Sequence, residues 1–549
     1  MKVKRRDFLK TSLLAGSAAL VAPRSMFSQA AESRIEILVN EPIGTINPNL
    51  YSHFVEHLGG VVYDGIWVGE GSKIPNVGGI RKALIDSLAK IRPGVIRYPG
   101  GCFADQYDWR DGVGPRDKRP TRVNFWADTG YKATDSYKQL DSGPQKYETN
   151  AFGTDEFVKF CKLVGAEPYL AANVRTRDVR VFQDWLDYCN APAGTTTLSG
   201  QRGGQPHKVS YWGIGNESWG CGGDFLPEEY AEEFRKFTAW LPTFGVKLNL
   251  IGSGPNGGDT GWTRRFFTKL TEKGAGQINK LYGWALHYYC GTTGKGISNE
   301  YTDNEWYDLL SRSDRMESLI KDHWQVMGEI DRDHKIKLIV DEWGAWHTQD
   351  PNVPAAYLYD YAATLRDALI SGINLDTFQR HADKVAMANP AQLVNTIHSL
   401  FQAQEDKFTV TSNYHVFEMY MPHAGATAVR TEFISPQVQF TRLDANKKEM
   451  AANFWGLNGS ASISGKTLTL TAVNSDVKNV RETEINVGGA KIASAKARVL
   501  TSADIHARNT FENPRGLEPR DEDVSIGPAG RLVYKFAPAS VTRLSITLS

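Results

Sequence analysis

Residues 209–217 read Val-Ser-Tyr-Trp-Gly-Ile-Gly-Asn-Glu, a short apolar run that becomes polar at its last two positions. Residues 337–342 read Lys-Leu-Ile-Val-Asp-Glu and follow the same pattern. Short apolar runs rich in β-branched and aromatic side chains are typical of buried strands. Each run therefore predicts a strand that ends in a glutamate, at Glu217 and at Glu342.

Six further apolar runs accompany these two, and segments with helical spacing separate most of the eight. The predicted strands span residues 50–56, 94–98, 168–174, 209–216, 247–253, 281–289, 337–341 and 385–388, and the clearest predicted helices span 80–91, 154–164, 227–243, 305–332 and 355–373. Eight strands that alternate with helices predict a (β/α)8 barrel. An open doubly wound sheet is the alternative, but its usual glycine-rich phosphate loop does not follow the first predicted strand.

The pattern changes after about residue 405, where short alternating runs replace the helices. These runs, at 466–472, 482–487, 497–500 and 540–548, are separated by turn residues and predict an all-β sandwich. We therefore expect a barrel over residues 49–404 and a sandwich over 405–549. The run at 35–39 predicts one more strand, and residues 31–48 are assigned to the same sandwich. The polar stretch 116–150 predicts a long loop on the rim of the barrel.

The first 30 residues predict an export signal. Lys4-Arg5-Arg6 begins a twin-arginine pattern, an apolar run follows, and Ser28-Gln29-Ala30 offers a cleavage site. We expect export by the twin-arginine route to the periplasm or the medium, with residues 1–30 removed. The apolar run is too short to anchor the protein in a membrane, and no later segment is long and apolar enough to span one.

Composition narrows the classes of partner. The 549 residues carry a formal net charge of +1, which argues against a nucleic-acid partner. Five cysteines in a chain of 549 residues are too few for a fold held together mainly by disulfides. No cluster of cysteines or histidines has the sequence spacing of a metal site. We predict no metal and no other cofactor, and the missing ligand cluster disfavours a metallohydrolase.

Polar side chains stand at the ends of six predicted strands, where a (β/α)8 barrel carries its chemistry. They are Glu56, Arg97, Asn173, Asn216 with Glu217, His287 with Tyr289, and Asp341 with Glu342. If Glu217 and Glu342 end strands four and seven, they face each other across the barrel mouth. Glycoside hydrolysis needs such a pair, because one carboxyl protonates the leaving oxygen and the other attacks or stabilises the sugar cation.

Around these positions the sequence resembles glycoside hydrolase family 51, the α-L-arabinofuranosidases. The matching motifs are Phe54-Val-Glu-His57, Arg97-Tyr-Pro-Gly-Gly-Cys-Phe103, Trp109-Arg-Asp-Gly-Val-Gly-Pro115, Gly215-Asn-Glu217, His287-Tyr-Tyr289, Asp341-Glu-Trp343 and Ala391-Gln-Leu-Val-Asn395. The resemblance runs from residue 33 to the end of the chain. It implies a barrel with a jelly-roll-like β-sandwich that includes the N-terminal strand. It also implies a retaining, exo-acting enzyme that releases arabinofuranose from arabinan or arabinoxylan.

The resemblance makes Glu217 the general acid/base and Glu342 the nucleophile. The positions that it places around the sugar are Glu56, Asn216, Tyr289 and Gln392 as contacts, Trp346 as an aromatic wall, Arg97 beside the nucleophile, and Cys102 and His287 at the rim. A cationic Arg97 would keep Glu342 ionised, while Glu217 has to hold its proton until the leaving group departs. The family often forms trimers or hexamers, so a homo-oligomer is also expected.

Two cysteines lie close to these motifs. Cys102 stands where family members often have an asparagine, which puts one hydrogen bond to the sugar in doubt. Cys221 follows the expected acid/base closely in Ser218-Trp-Gly-Cys-Gly-Gly223. Both fall on the predicted rim, so a Cys102–Cys221 disulfide is one hypothesis, and two buried thiols that fill small volumes are the other.

Two other functions remain open at this stage. An endo-glucanase or a β-xylosidase would use the same barrel and carboxylates on another sugar, and a panel of aryl glycosides separates these activities. A non-catalytic carbohydrate-binding protein would keep the fold alone. The presence of both carboxylates argues against that protein, and turnover of an aryl arabinofuranoside would exclude it.

Overall fold

The computed structural model describes residues 33–128, 146–350, 352–444 and 446–549. The predicted export signal at 1–30 and the central part of the predicted loop at 116–150 lie outside these residues. Among the described residues, no helix is long and apolar enough to cross a membrane.

Eight parallel strands form the barrel sheet. In chain order they are His53–Phe54, Val95–Tyr98, Glu167–Ala172, Tyr211–Ile214, Asn249–Gly252, Leu281–Tyr289, Lys337–Gly344 and Val385–Pro390. Each pairs in parallel with the next. The sheet is nearly closed, because the backbone amide of Leu393, just past strand eight, donates to the carbonyl oxygen of Phe54 in strand one at 2.9 Å. The predicted (β/α)8 barrel is confirmed, and strands four and seven lead to Glu217 and Glu342.

The first barrel strand is shorter than its apolar pattern predicts. The predicted run 50–56 begins inside a 3-10 turn at Pro48–Tyr51, and only His53–Phe54 pair as a strand. Pro48 begins this turn, and the side chain of Asn47 caps it by accepting a hydrogen bond from the amide of Asn49. The turn therefore includes residues that the apolar pattern alone assigns to the strand.

Helices occupy most of the connections between the barrel strands. They are Lys82–Leu88, Phe125–Asp128, Thr154–Val164, Val179–Asn190, Thr197–Arg202, Pro227–Phe237, Thr260–Thr271, Asp303–Ser313, Met316–Gly328 and Leu365–Arg380, with Ser412–Tyr420 after the barrel. The single helix predicted at 305–332 is two helices that meet at Asp314 and Arg315. Both of these residues keep right-handed helical angles, so the apolar spacing continues across the break.

The helix predicted at 355–373 begins later, at Leu365. A 3-10 turn at Ala355–Tyr357 comes before it, and its N-terminus is fixed where the backbone amide of Thr364 donates to Asp367 at 2.8 Å. This helix is buried on all sides because the sandwich covers the face that the barrel leaves open. On that face, the Asp376 carboxylate accepts hydrogen bonds from the hydroxyls of Ser460 and Thr471.

Nine strands form the sheet of the β-sandwich. They are Ser33–Thr45, Thr427–Ile434, Leu457–Ser464, Thr467–Asn474, Arg481–Gly488, Ile492–Thr501, Arg520–Val524, Leu532–Phe536 and Ser540–Leu548. The N-terminal strand Ser33–Thr45 pairs antiparallel with Thr427–Ile434 and parallel with Arg481–Gly488. The prediction that the N-terminal strand belongs to the C-terminal sandwich is therefore confirmed. Two separate hairpins, Phe401–Gln404 with Lys407–Val410 and Gln437–Leu443 with Glu449–Trp455, flank the sheet.

Candidate active site

Glu217 is placed at the barrel mouth by a tight turn after strand four. Gly215 has a φ of 84°, which a residue with a Cβ rarely adopts, and Glu217 itself has a φ of 38°. The turn brings Asn216 under the mouth, fully buried, and leaves the Glu217 side chain 18% exposed. Glu217 therefore has the solvent access that a proton donor to a leaving group requires.

Glu342 is carried by strand seven and is buried. The pairing of strand seven with strand eight shifts register between Val340 and Trp343. Asp341 and Glu342 consequently both contact Arg97, whose guanidinium nitrogens lie 3.5 Å and 2.7 Å from their respective carboxylate oxygens.

The two glutamates approach each other closely. A carboxylate oxygen of Glu217 lies within 4.8 Å of one of Glu342. His287, from strand six, lies between them, with its Nδ1 3.0 Å from Glu217 and 3.5 Å from Glu342. Burial lowers the pKa of His287, but the charges of Glu342 and Glu217 outweigh burial and raise it above its ordinary value.

Glu342 is held in its ionised form. Burial acts to raise the pKa of Glu342, but the charges of His287 and Arg97 and two hydrogen bonds outweigh it and hold that pKa below its ordinary value. The two bonds, each of 2.7 Å, are donated by the Arg97 guanidinium and by the Tyr289 hydroxyl. An ionised carboxylate in this position is suited to attack a sugar carbon.

Tyr289→Phe should move the acid limb of kcat/KM to higher pH. If Glu342 is the nucleophile, activity requires its ionised form, so the rate falls as the pH drops through the pKa of that group. Loss of the Tyr289 hydroxyl raises this pKa, and we also expect kcat/KM at the optimum to fall about tenfold. The pH dependence of kcat/KM, measured for the wild type and for Tyr289→Phe, checks this. Tyr288→Phe is the control and should keep the wild-type profile, because the Tyr288 hydroxyl donates to the backbone carbonyl of Arg312 instead. An unchanged acid limb in Tyr289→Phe would contradict the assignment.

Glu56 forms the opposite side of the site. Its carboxylate accepts hydrogen bonds from the backbone amide of Phe103 at 3.1 Å, from the Trp126 indole at 3.2 Å and from the Gln392 amide at 2.9 Å. Burial and the nearby charge of Glu342 raise the pKa of Glu56 to about 7. The neighbouring carboxyls of Glu56 and Glu342 therefore have pKa values shifted in opposite directions. Near neutral pH, Glu56 is able to donate as well as accept a hydrogen bond to a sugar hydroxyl.

A small pocket opens above these groups. Its lining residues are Glu56, Leu58, Gly101, Cys102, Trp126, Asn216, Glu217, Tyr289, Glu342, Trp346, Gln392 and Ile397. The Trp346 ring packs edge-on against Tyr289 and Tyr359, with ring centroids 4.9 Å and 5.3 Å away. The pocket is therefore lined by both aromatic rings and carboxylates.

The predicted site residues lie together in the structure. Most of them line the pocket, and two lie behind those that do. Arg97 and His287 do not line the pocket; they lie behind the glutamates and contact their carboxylates. Leu58, Trp126 and Ile397 line it and were not predicted. Trp126 belongs to the predicted rim loop, and its indole in a polar loop after strand two is the one sequence signal that marks it.

The structure joins Cys102 to Cys221. Their Sγ atoms lie 2.03 Å apart and their Cα atoms 5.5 Å apart. The other cysteines, Cys161, Cys189 and Cys290, are free and buried. The bridge ties the turn after strand two to the turn that carries Glu217, and the Cys221 sulfur lies 3.7 Å from the Glu217 carboxylate.

Two groups of side chains in the described residues bring three ligand atoms within 4.8 Å of one another. One is Cys102, Glu217 and Cys221, whose sulfurs are bonded to each other and offer no thiolate. The other is Glu217, His287 and Glu342, where the Arg97 guanidinium already neutralises Glu342 and opposes a cation. We assign no metal to either group, and the prediction of a reaction without cofactor stays a prediction.

A barrel with paired carboxylates at the ends of strands four and seven defines a glycoside hydrolase. Family models described as "Alpha-L-arabinofuranosidase 1 domain" and "Alpha-L-arabinofuranosidase C-terminal domain" match residues 87–289 and 341–540. The matched segments contain Glu217 and Glu342 respectively. An "Intracellular exo-alpha-L-arabinofuranosidase" from Bacteroides ovatus is 31% identical over 98% of this chain and 100% of its own. The chain belongs to glycoside hydrolase family 51, the α-L-arabinofuranosidases.

Solved structures agree with this assignment. A GH51 arabinofuranosidase from Xanthomonas axonopodis pv. citri matches with a TM-score of 0.85 and 31% identity, over 94% of this chain and 100% of that one. An α-L-arabinofuranosidase from Thermotoga maritima, solved as an arabinose complex, matches with a TM-score of 0.79 and 28% identity over the same shares. Both similarities span the barrel and the sandwich together.

The predicted export is wrong on these comparisons. The relative from Bacteroides ovatus aligns over nearly the whole chain and is named an intracellular enzyme. The prediction rested on a short pattern of arginines before an apolar run, and short motifs of this kind carry a high false-positive risk.

Proposed function

We propose that the chain is a retaining, exo-acting α-L-arabinofuranosidase with Glu217 as acid/base and Glu342 as nucleophile. The observation that carries the proposal is the separation of the two carboxylates, whose nearest oxygens lie within 4.8 Å. Retaining glycosidases hold their carboxyl groups about 5 to 5.5 Å apart, whereas inverting ones leave a wider gap for a water molecule.

The reaction follows from the surroundings of each carboxylate. Ionised Glu342 attacks the anomeric carbon while Glu217 protonates the departing oxygen, which gives a glycosyl ester on Glu342. Glu217, now deprotonated, takes a proton from water, and that water displaces the ester. Arg97 and Tyr289 hold Glu342 in position for attack through their hydrogen bonds.

The remaining predicted residues bind the sugar. Asn216 is held against Arg97 by a hydrogen bond of 2.5 Å between its side-chain oxygen and the guanidinium, and its amide nitrogen is left to meet the 2-hydroxyl. Glu56 and Gln392 are joined by two hydrogen bonds of 2.9 Å and meet the other hydroxyls. Cys102 contacts the sugar through the disulfide, where an asparagine would offer a hydrogen bond.

The pocket favours an exo mode of action. The pocket is small, and the aromatic rings of Trp126 and Trp346 line it beside the carboxylates. The substrate class that fits is a terminal non-reducing α-L-arabinofuranosyl unit on arabinan or arabinoxylan. The trimer or hexamer that the resemblance implies stays a prediction, which analytical ultracentrifugation would test.

A panel of nitrophenyl glycosides with product analysis by NMR tests the proposal. We expect the arabinofuranoside to be cleaved at least about a hundredfold faster than the xyloside or the glucoside, a difference of about 2.7 kcal/mol in the barrier. The first arabinose released should have the α configuration. Preference for the xyloside or the glucoside would favour the alternative β-xylosidase or endo-glucanase, and β-arabinose formed first would indicate inversion.

A further inference from the structure

Asp105 is a fully buried carboxylate that the proposed chemistry does not use. It ends the 3-10 turn Cys102–Asp105 that follows barrel strand two. Its Oδ1 accepts a hydrogen bond of 2.9 Å from the backbone amide of Val174, and its Oδ2 accepts one of 3.1 Å from the backbone amide of Asn216. One carboxylate thus joins the chain segments that follow strands two, three and four.

The bonds of Asp105 point to a role in shaping the backbone. Burial raises the pKa of Asp105 to about 7, while the amides of Val174 and Asn216 and the charge of Arg175 act in the opposite direction. The backbone amide of Arg175 also acts to lower this pKa, and its side-chain Nε donates to the backbone oxygen of Asp105 at 3.2 Å. A carboxyl group in such surroundings is costly unless its acceptors are used, and here both oxygens accept from backbone amides.

The backbone that Asp105 holds is unusual. Glu217 adopts a φ of 38°, which is unfavourable for a residue with a Cβ and persists only where the neighbouring structure fixes it. The amide of Asn216, just before it, donates to Asp105. The amide of Ser218, just after it, donates to the Ser253 hydroxyl at 3.1 Å. Asp105 and Ser253 therefore clamp the backbone on both sides of the expected acid/base.

The turn is also packed directly against this carboxylate. A Cβ added at Gly222 would lie 1.6 Å from the carbonyl oxygen of Asn216 and 3.0 Å from an Asp105 oxygen. The segment from Asn216 to Gly222 therefore has little room to shift while Asp105 is in place.

We propose that Asp105 is a positioning residue for the acid/base: it fixes the peptide group of Asn216 and thereby directs the Glu217 carboxyl at the leaving oxygen. This inference rests on the proposed function, in which Glu217 is the proton donor. Asp105 is not among the residues that line the pocket.

Asp105→Asn tests the inference, because it keeps the size of the side chain but sets an NH2 group opposite one of the two backbone amides. We expect kcat/KM to fall about thirtyfold on an arabinan oligosaccharide, whose leaving group needs protonation. On dinitrophenyl arabinofuranoside, whose leaving group needs no proton, kcat/KM should fall less than about threefold. Ser253→Ala loosens the other side of the clamp and should show the same selectivity, and it decides the question if Asp105→Asn does not fold.

The matched control is Asp376→Asn, a buried aspartate between barrel and sandwich whose carboxylate accepts from Tyr420, Ser460 and Thr471. It should lower the melting temperature and leave the ratio of the two rates unchanged. An equal loss on both substrates in Asp105→Asn, or no loss, overturns the positioning role. Glu217→Ala on the same substrates separates the two hypotheses, since absence of selectivity there means that the proposed function itself has failed.

Discussion

Glu342→Ala is expected to lower kcat by about a thousandfold or more on every substrate, whatever its leaving group. The variant lacks the oxygen that forms the glycosyl ester, so the first step has no nucleophile. Activated and natural substrates should therefore lose rate together. Initial rates on dinitrophenyl arabinofuranoside and on an arabinan oligosaccharide measure this.

Two controls accompany this variant. Glu342→Gln keeps the shape of the side chain and should be equally inactive, which separates lost chemistry from lost packing around Arg97. Glu329→Gln removes an exposed carboxylate that pairs with Arg264 at 2.7 Å, and it should keep full activity. A loss of less than about tenfold in Glu342→Ala, a step of about 1.4 kcal/mol, would place the nucleophile elsewhere.

Glu217→Ala is expected to separate substrates by their leaving groups. Hydrolysis of an arabinan oligosaccharide should fall by about a thousandfold, because its leaving oxygen has to be protonated. Dinitrophenyl arabinofuranoside should still form the glycosyl-enzyme, since its leaving group departs without a proton. The second step should then be slow, because Glu217 also serves as the base towards water.

Azide provides the diagnostic readout for this variant. It attacks the glycosyl-enzyme without needing a base, so it should restore turnover of the dinitrophenyl substrate and give an arabinosyl azide with the α configuration. Rescue of Glu342→Ala to an arabinosyl azide of the retained α configuration, with no such product from Glu217→Ala, would mean that the two roles have to be exchanged.

The parts of this protein that the sequence predicts are those fixed by short stretches of chain. Strand seven is a continuous apolar run that ends in Asp341 and Glu342, so the sequence predicts both the strand and the carboxylates at its end. The first strand is not, because a proline-led turn takes up part of an apolar run. Helix Leu365–Arg380 starts later than expected because a cap at Thr364 and Asp367, rather than the apolar pattern, fixes its beginning.

The parts that the sequence does not predict depend on contacts between distant segments. Trp126 reaches the pocket only because its loop folds back to donate to Glu56. Asp105 is one polar residue among many until the turns after strands three and four present their amides to it. The positive φ of Glu217 likewise has no local signal beyond the preceding glycine, because tertiary contacts stabilise it.

The central claim is that Glu342 forms a covalent bond to the sugar while Glu217 acts as the general acid and then as the general base. It is tested most directly by incubating Glu217→Ala with dinitrophenyl arabinofuranoside, quenching the reaction in acid and mapping the peptides by mass spectrometry. The account predicts one pentosyl group, attached as an ester to Glu342. A pentosyl group on any other residue, or burst release of dinitrophenol with no adduct on the protein, would contradict it.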